Sequence, residues 1–205
     1  MMPVIHFKPP RLIETDALLL RPLEFRDADE LFDCIFSDFD TMRDLAWHIH
    51  THVDETRSFI ALSRAGWETG AYIHWALECK QTRRITALIE LRIEMPRIEI
   101  GYVICRRGAT RRRRSGFIAL RKLTQWLINQ PGIYRVFAHC AVGGRMHSTM
   151  ERLGFTLEGV VRSHEARPNI GVLAGDSYLY AMTRRAAPAP TLVGPDHPPG
   201  VQRPD

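Results

Sequence analysis

Apolar positions recur along this chain in two periods, and the switches between them predict its elements. Leu12 to Leu23 reads as a strand, with Leu18, Leu19 and Leu20 as its buried part and Pro22 at its end. Asp27 stands where it can cap a short helix carrying Leu31, Phe32, Ile35 and Phe36 at helical spacing. Thr51 is placed to cap a second helix with Val53, Phe59, Ile60 and Leu62, closed by the stretch Gly66 to Gly70. Period two then takes over. Ala71 to Cys79 is a predicted strand, and Arg84 to Glu94 alternates, with Ile85, Ala87, Ile89, Leu91 and Ile93 on one side. Met95-Pro96-Arg97 turns the chain into a further strand, Ile98 to Cys105. After an arginine-rich loop, Gly116 to Gln130 is helical, with Leu120, Leu123, Trp126 and Leu127 inward and Pro131-Gly132 as its stop. Ile133 to Cys140 is a strand, Arg145 to Leu153 a short helix closed by Gly154, and Phe155 to Arg162 and Ser177 to Arg184 are the last strands. The order predicts one α/β domain over residues 1–185, a mixed, mostly antiparallel sheet flanked by helices.

Composition changes this picture at the C-terminal end. Residues 186–205 hold six of the thirteen prolines and almost no apolar periodicity, so a disordered tail is expected there. The 45% hydrophobic and 25% charged fractions over 205 residues are globular values and exclude wholesale disorder. No apolar run is long enough to span a bilayer, and no basic segment leads into an apolar one at the N-terminus, so a cytoplasmic protein without membrane partners is expected. Cys34, Cys79, Cys105 and Cys140 are widely separated and read as reduced thiols. Lys and Arg exceed Asp and Glu by 28 to 23, an excess that suits an anionic ligand without demanding nucleic acid.

The order of elements, with certain local residues, resembles the GNAT N-acetyltransferases, and within them the RimJ/RimL-like branch. Arg11-Leu12-Ile13-Glu14-Thr15 with Leu18 to Pro22 is similar to the opening strand, and Phe25 to Phe32 to the first helix. Glu99-Ile100-Gly101-Tyr102-Val103-Ile104 resembles the strand that receives acetyl-CoA. Leu153-Gly154-Phe155 with Glu158-Gly159-Val160 resembles the late helix–strand junction, and Asp176 with Tyr178 and Tyr180 the last strand. The likeness spans residues 11–185.

The resemblance implies acetyl transfer from acetyl-CoA, as co-substrate, to an amine: a protein N-terminal α-amine or a small amine. Such chemistry needs amide donors for the pyrophosphate at a helix start, a donor for the thioester oxygen, and a proton acceptor for the amine. On this reading Val103 and Ile104 of the receiving strand, with Arg111, Arg112, Arg114, Ser115, Gly116 and Phe117 at the following helix, bind acetyl-CoA. Two departures from the family pattern stand out. Arg114 occupies the place of a loop glycine, and Gly143 and Met146 occupy the places of an asparagine and a serine. Ser148 lies two residues further on and is the candidate replacement for that serine. Glu99 and Glu90, both on the meander, are the candidates for the base, with Glu90 also a candidate for binding the acceptor. Trp47 is the candidate acceptor-side wall, and Trp67, Trp75 and Trp126 read as core. The departures leave a non-catalytic module of the same fold as the alternative to an enzyme.

His48, His50 and His52 alternate, but no carboxylate or cysteine completes a ligand set, so no metal is expected. His139 and Cys140 are adjacent without an orienting third group nearby in the pattern. No aromatic residue interleaves the arginines, which argues against nucleic acid as partner. The oligomeric state is open between monomer and homodimer.

Overall fold

Two patches of apolar side chains on opposite faces of one sheet organise the molecule. The computed structural model describes residues 7–70, 72–106 and 113–185, with backbone alone for 113–115. The predicted tail at 186–205 and the loop arginines Arg111 and Arg112 lie outside the described residues.

Eight strands form a single sheet in the order β1-β2-β3-β4-β5-β6-β8-β7. They are β1 (Ile13–Glu14), β2 (Leu18–Pro22), β3 (Tyr72–Cys79), β4 (Ile85–Glu94), β5 (Arg97–Ile104), β6 (Arg135–Ala141), β7 (Thr156–Arg167) and β8 (Val172–Thr183). Every neighbouring pair is antiparallel except β5 with β6. A parallel pair needs a crossover, which α4 (Arg113–Ile128) supplies. The remaining helices are α1 (Ala28–Leu31), α2 (Phe39–Met42), α3 (Val53–Thr69) and α5 (His147–Leu153). The architecture is the mixed, mostly antiparallel α/β fold that the periodicity predicts.

On one face, Leu120, Leu123 and Leu127 of α4 and Met150 and Leu153 of α5 pack on Ile89, Ile98 and Val136. On the other, Leu31, Ile35, Phe36 and Ile60 pack on Ala76, Leu88 and Val103. Because helices cover both faces, β3 is buried along nearly its whole length. Ile85 departs from the expected alternation. A bulge at Leu77/Glu78 shifts the β3–β4 register, so Ile85 joins the second face while Ala87, Ile89 and Leu91 stay on the first.

Several local expectations are corrected. Asp27 stands at the N-cap position of the first helix, but its side chain makes no capping bond there. It sits inside a preceding 3-10 turn, Phe25–Asp27, where its carboxylate accepts from the Glu24 amide at 2.8 Å. α1 runs straight into a π-helical segment, Phe32–Phe36, closed by Ser37 N–H donating to Phe32 C=O. His52, not Thr51, caps α3, and Glu55 accepts from the amides of both Thr51 and His52. Gly66 lies within α3 rather than at its end. A Cβ there would stand 2.5 Å from the Tyr72 carbonyl oxygen, so the helix can approach β3 only through glycine. Gly70, at φ 73°, is the true terminator. The last two strands are longer than the pattern indicated, forming a hairpin arm whose tip is the 3-10 turn Pro168–Ile170.

Candidate active site

The parallel strands β5 and β6 pair only through Arg97↔Arg135, Ile98↔Val136 and Glu99↔Phe137. Beyond Glu99 they diverge, and a wedge opens between residues 100–104 and 138–141. On its other side β5 stays paired to β4 without a register shift, and Cys105 N–H donates to Thr86 C=O. Backbone groups alternate sides along a strand. The amides of Tyr102 and Ile104 therefore point away from β4 and into the wedge, past the last β6 pairing.

The Tyr102 side chain packs partly buried beneath α4. Its hydroxyl shares a 2.7 Å bond with Thr124, whose own hydroxyl donates to Leu120 C=O. Tyr102 is thus the donor, and it fastens α4 to β5. Burial pushes its phenol well above the ordinary value. At the start of α4 a Cβ on Gly116 would meet nothing within 4 Å among the described residues.

A cavity of about 170 Å³ begins at the wedge and runs over the second face of the sheet. Val103, Ile104, Glu90, Glu99 and Trp47 all line it, so five of the sequence-derived residues come together. Gly116, Phe117 and Ser148 do not line it. Phe117 packs against the core with the Arg152 guanidinium 4.6 Å above its ring. Ser148 is exposed near the start of α5, while Met146 turns into the cavity wall. The serine expected near this place is therefore met by a thioether. Gly143 has φ +78° and makes a tight turn after β6. The backbone of Arg114 and Ser115 forms the first turn of α4.

The floor of the cavity is polar because four strands put alternate residues onto the part of the sheet the helices leave uncovered. Glu99 Oε1 lies 2.9 Å from His139 Nδ1, and Glu99 Oε2 lies 3.6 Å from Arg92. The His139 bond, with Arg92 behind it, holds the Glu99 carboxyl below the usual range despite its partial burial. An ionised Glu99 can only accept, so Nδ1 of His139 donates to it, and in the neutral ring this tautomer leaves Nε2 as the acceptor. His164 stacks on His139 at 4.0 Å between ring centroids; burial, then the neighbouring His139, lowers its own basicity. Glu90 behaves oppositely. Burial raises its carboxyl, and Arg92 at 3.0 Å offsets only part of that. Two carboxylates on adjacent strands are thus driven apart in proton affinity. His74, 3.8 Å from Glu90, is pushed down to about 4 by burial and then by Arg92, and neither ring nitrogen has a hydrogen-bond partner among the described residues.

The sequence reading missed Arg92, Glu165 and Arg167, and set His139 aside for want of an orienting group; all four line the cavity. The orienting group for His139 stands forty positions earlier on the neighbouring strand. The parallel register would have found it, since His139 is two residues past the partner of Glu99. The histidines near 50 have structural tasks: His50 stacks on Phe36 and bonds Thr56, and His52 caps α3. Trp47 joins Phe36 and Phe59 in an aromatic cluster at the cavity wall. Trp67 and Trp75 are core, and Trp126 packs partly buried at its edge. No helix among the described residues is long and apolar enough to cross a membrane.

Comparison with known proteins gives this geometry a context. A family model described as the acetyltransferase (GNAT) domain matches residues 17–156. The chain is 26% identical over 159 residues to the uncharacterized N-acetyltransferase YoaA of Bacillus subtilis strain 168, covering 75% of this chain and 87% of that one. Among solved structures it is similar to the microcin C7 self-immunity acetyltransferase MccE in complex with acetyl-CoA and AMP, at TM-score 0.73 and 21% identity over 86% of this chain and 98% of that one. It is also similar to RimL, a ribosomal L7/L12 α-N-protein acetyltransferase solved with coenzyme A, at TM-score 0.71 and 19% identity over 84% and 97%. Both structures share the fold.

Proposed function

The chain belongs to the GNAT acetyltransferase family, and on that premise we propose that it is a cytoplasmic RimJ/RimL-like enzyme moving an acetyl group from acetyl-CoA to a protein N-terminal α-amine. The observation that carries this reading is the wedge between β5 and β6, whose free Tyr102 and Ile104 amides open onto a cavity floored by Glu90, Glu99 and His139.

In this proposal the pantetheine arm lies along Val103 and Ile104, and a free strand amide donates to the thioester oxygen as negative charge develops on it. The amides of Ser115, Gly116 and Phe117 at the start of α4 take the pyrophosphate, with charge from Arg111, Arg112 and Arg114. The amine nitrogen attacks the carbonyl carbon, the carbon–sulfur bond breaks, and the acetyl group remains on nitrogen. The incoming ammonium gives up two protons, one to solvent before attack and one as the amide forms, and the leaving thiolate takes up one, so the reaction balances with net release of one proton. His139 Nε2, oriented and charge-compensated by Glu99, receives the amine proton. Glu90 faces the incoming ammonium and Trp47 walls the acceptor side. Ser148 has no step here, being exposed outside the cavity lining. An α-amine starts near pKa 8 against about 10.4 for lysine, so it asks less of this pair. RimL, which shares the fold, is named for α-N-acetylation of a ribosomal protein.

The second reading, a non-catalytic module, draws on Arg114, Gly143 and Met146. Two measurements separate them. Acetyl-CoA at about 100-fold over its Kd should stabilise the protein by about 2.7 kcal/mol in a thermal-shift titration. Mass spectrometry should then find acetyl on a peptide with an N-terminal serine. Transfer to no N-terminal or small amine, whether acetyl-CoA binds or fails to bind at millimolar concentration, defeats the enzyme and leaves the module.

A further inference from the structure

The two walls of the acceptor side come from distant parts of the chain. Leu45, Ala46 and Trp47 belong to the connection between α2 and α3, whereas Glu165 and Arg167 belong to the β7–β8 arm. One side chain joins them. Asn169, at the tip of that arm, donates through Nδ2 to the carbonyls of Met42 and Trp47, each at 2.8 Å. Its Oδ1 accepts from the Ile49 amide at 2.9 Å. The connection thereby exchanges three backbone bonds with a residue more than a hundred positions away.

The chemistry of this junction selects its residue. It needs two donors and one acceptor on a short planar group, which is what a carboxamide on one methylene offers. The arm is itself stiff. Arg167, 4% exposed, spans its two strands by donating to Glu165 at 2.9 Å and to Ser177 Oγ at 2.8 Å. The Trp47 ring is held from the other side by Phe59, at 5.5 Å between centroids. A stiff arm, a three-bond tie and a packed ring together set the width of the acceptor side. Among the described residues, neither Val103, Ile104 nor α4, assigned above to acetyl-CoA, bonds to Asn169.

Resting on the acetyl-transfer reading, we infer that Asn169 is a positioning residue. It ties the Trp47 wall to the β7–β8 arm and so determines how well the acceptor, but not acetyl-CoA, is bound. Asn169→Ala removes all three bonds. Asn169→Asp keeps the shape and the bond from Ile49 but turns a carboxylate toward two carbonyl oxygens.

The test uses the full chain, acetyl-CoA and a peptide with an N-terminal serine. Both variants should raise the peptide KM about tenfold, leave kcat within about threefold and leave the acetyl-CoA Kd within about twofold. Asn169→Asp should be at least as impaired as Asn169→Ala, although it is the conservative replacement. Hydrogen exchange should quicken over residues 42–50 while β4 and β5 keep their protection. An unchanged KM, or an acetyl-CoA Kd that worsens in step with KM, overturns the inference. If the wild type acetylates no amine, the acetyl-transfer reading fails on its own. Exchange then still decides the tie: faster exchange confined to 42–50 in Asn169→Ala supports it, and unchanged exchange refutes it.

Discussion

Replacing Arg21 by methionine should cost this protein a large share of its stability, and the structure says why. The Arg21 guanidinium makes two parallel bonds to Asp27, at 2.7 and 2.8 Å, and a third to Glu78 at 2.7 Å. All three side chains are buried, with Glu78 only 2% exposed. Arg83 stands 2.9 Å from Glu78 Oε1 but out of line for a hydrogen bond, so it contributes charge alone. Asp27, after it Glu78, hold the guanidinium above its already high ordinary value against the pull of desolvation. Methionine fills similar volume but strands two carboxylates away from water. Removing one partner of a buried ion pair costs about 3–5 kcal/mol, against a total of about 5–15 kcal/mol for a domain. At about 2–4 °C per kcal/mol for a domain of this size, the melting temperature should fall by about 6–20 °C. Urea denaturation followed by far-ultraviolet circular dichroism measures the loss. The triple variant Arg21→Met, Asp27→Leu, Glu78→Met should recover most of it, because no charge is then left buried. A single variant within 1 kcal/mol of wild type, or a triple variant less stable than the single one, would refute the reasoning.

Two further perturbations address the cavity floor. Glu99→Gln should lower kcat about 100-fold while the acetyl-CoA Kd moves less than twofold, since the change strips His139 of its carboxylate partner without touching the β5 backbone; parallel loss of both, or of neither, would remove Glu99 from the proton-accepting pair. His74, whose pKa burial depresses from 6.5 to about 4, makes stability fall with acidity. The unfolded chain takes up that proton first, so the contribution is whole above about pH 6.5 and is lost as pH falls to about 4, by about 3 kcal/mol. Glu90 and Arg92 are the charged groups beside it. His74→Phe should flatten this part of the pH–stability curve measured by urea titration, and an unchanged slope would show that another group carries it.

Element types were legible because they are local. Period-two alternation located the β3–β5 meander, and Gly70 and Gly154 ended helices where left-handed backbone is needed. Motif order along the chain sufficed for the family and, through it, for the stretch of β5 that opens the wedge. Glu90, Glu99 and Trp47 were legible as candidates, because each is an isolated functional group on a recognisable element.

What escaped was everything that depends on register or on distant partners. Ile85 changed faces because one bulge slips a strand by one residue. Asp27 was read as a cap, yet buried Arg21 claims its carboxylate from a neighbouring strand. His139 gained its proton partner only when β6 paired with β5, and Trp47 became a held wall only when Asn169 arrived from the hairpin tip. A sequence reports what each residue can donate, accept or bury. Which two such capacities meet is decided by strand register and by the packing of helices on the sheet, and those are properties of the assembled chain.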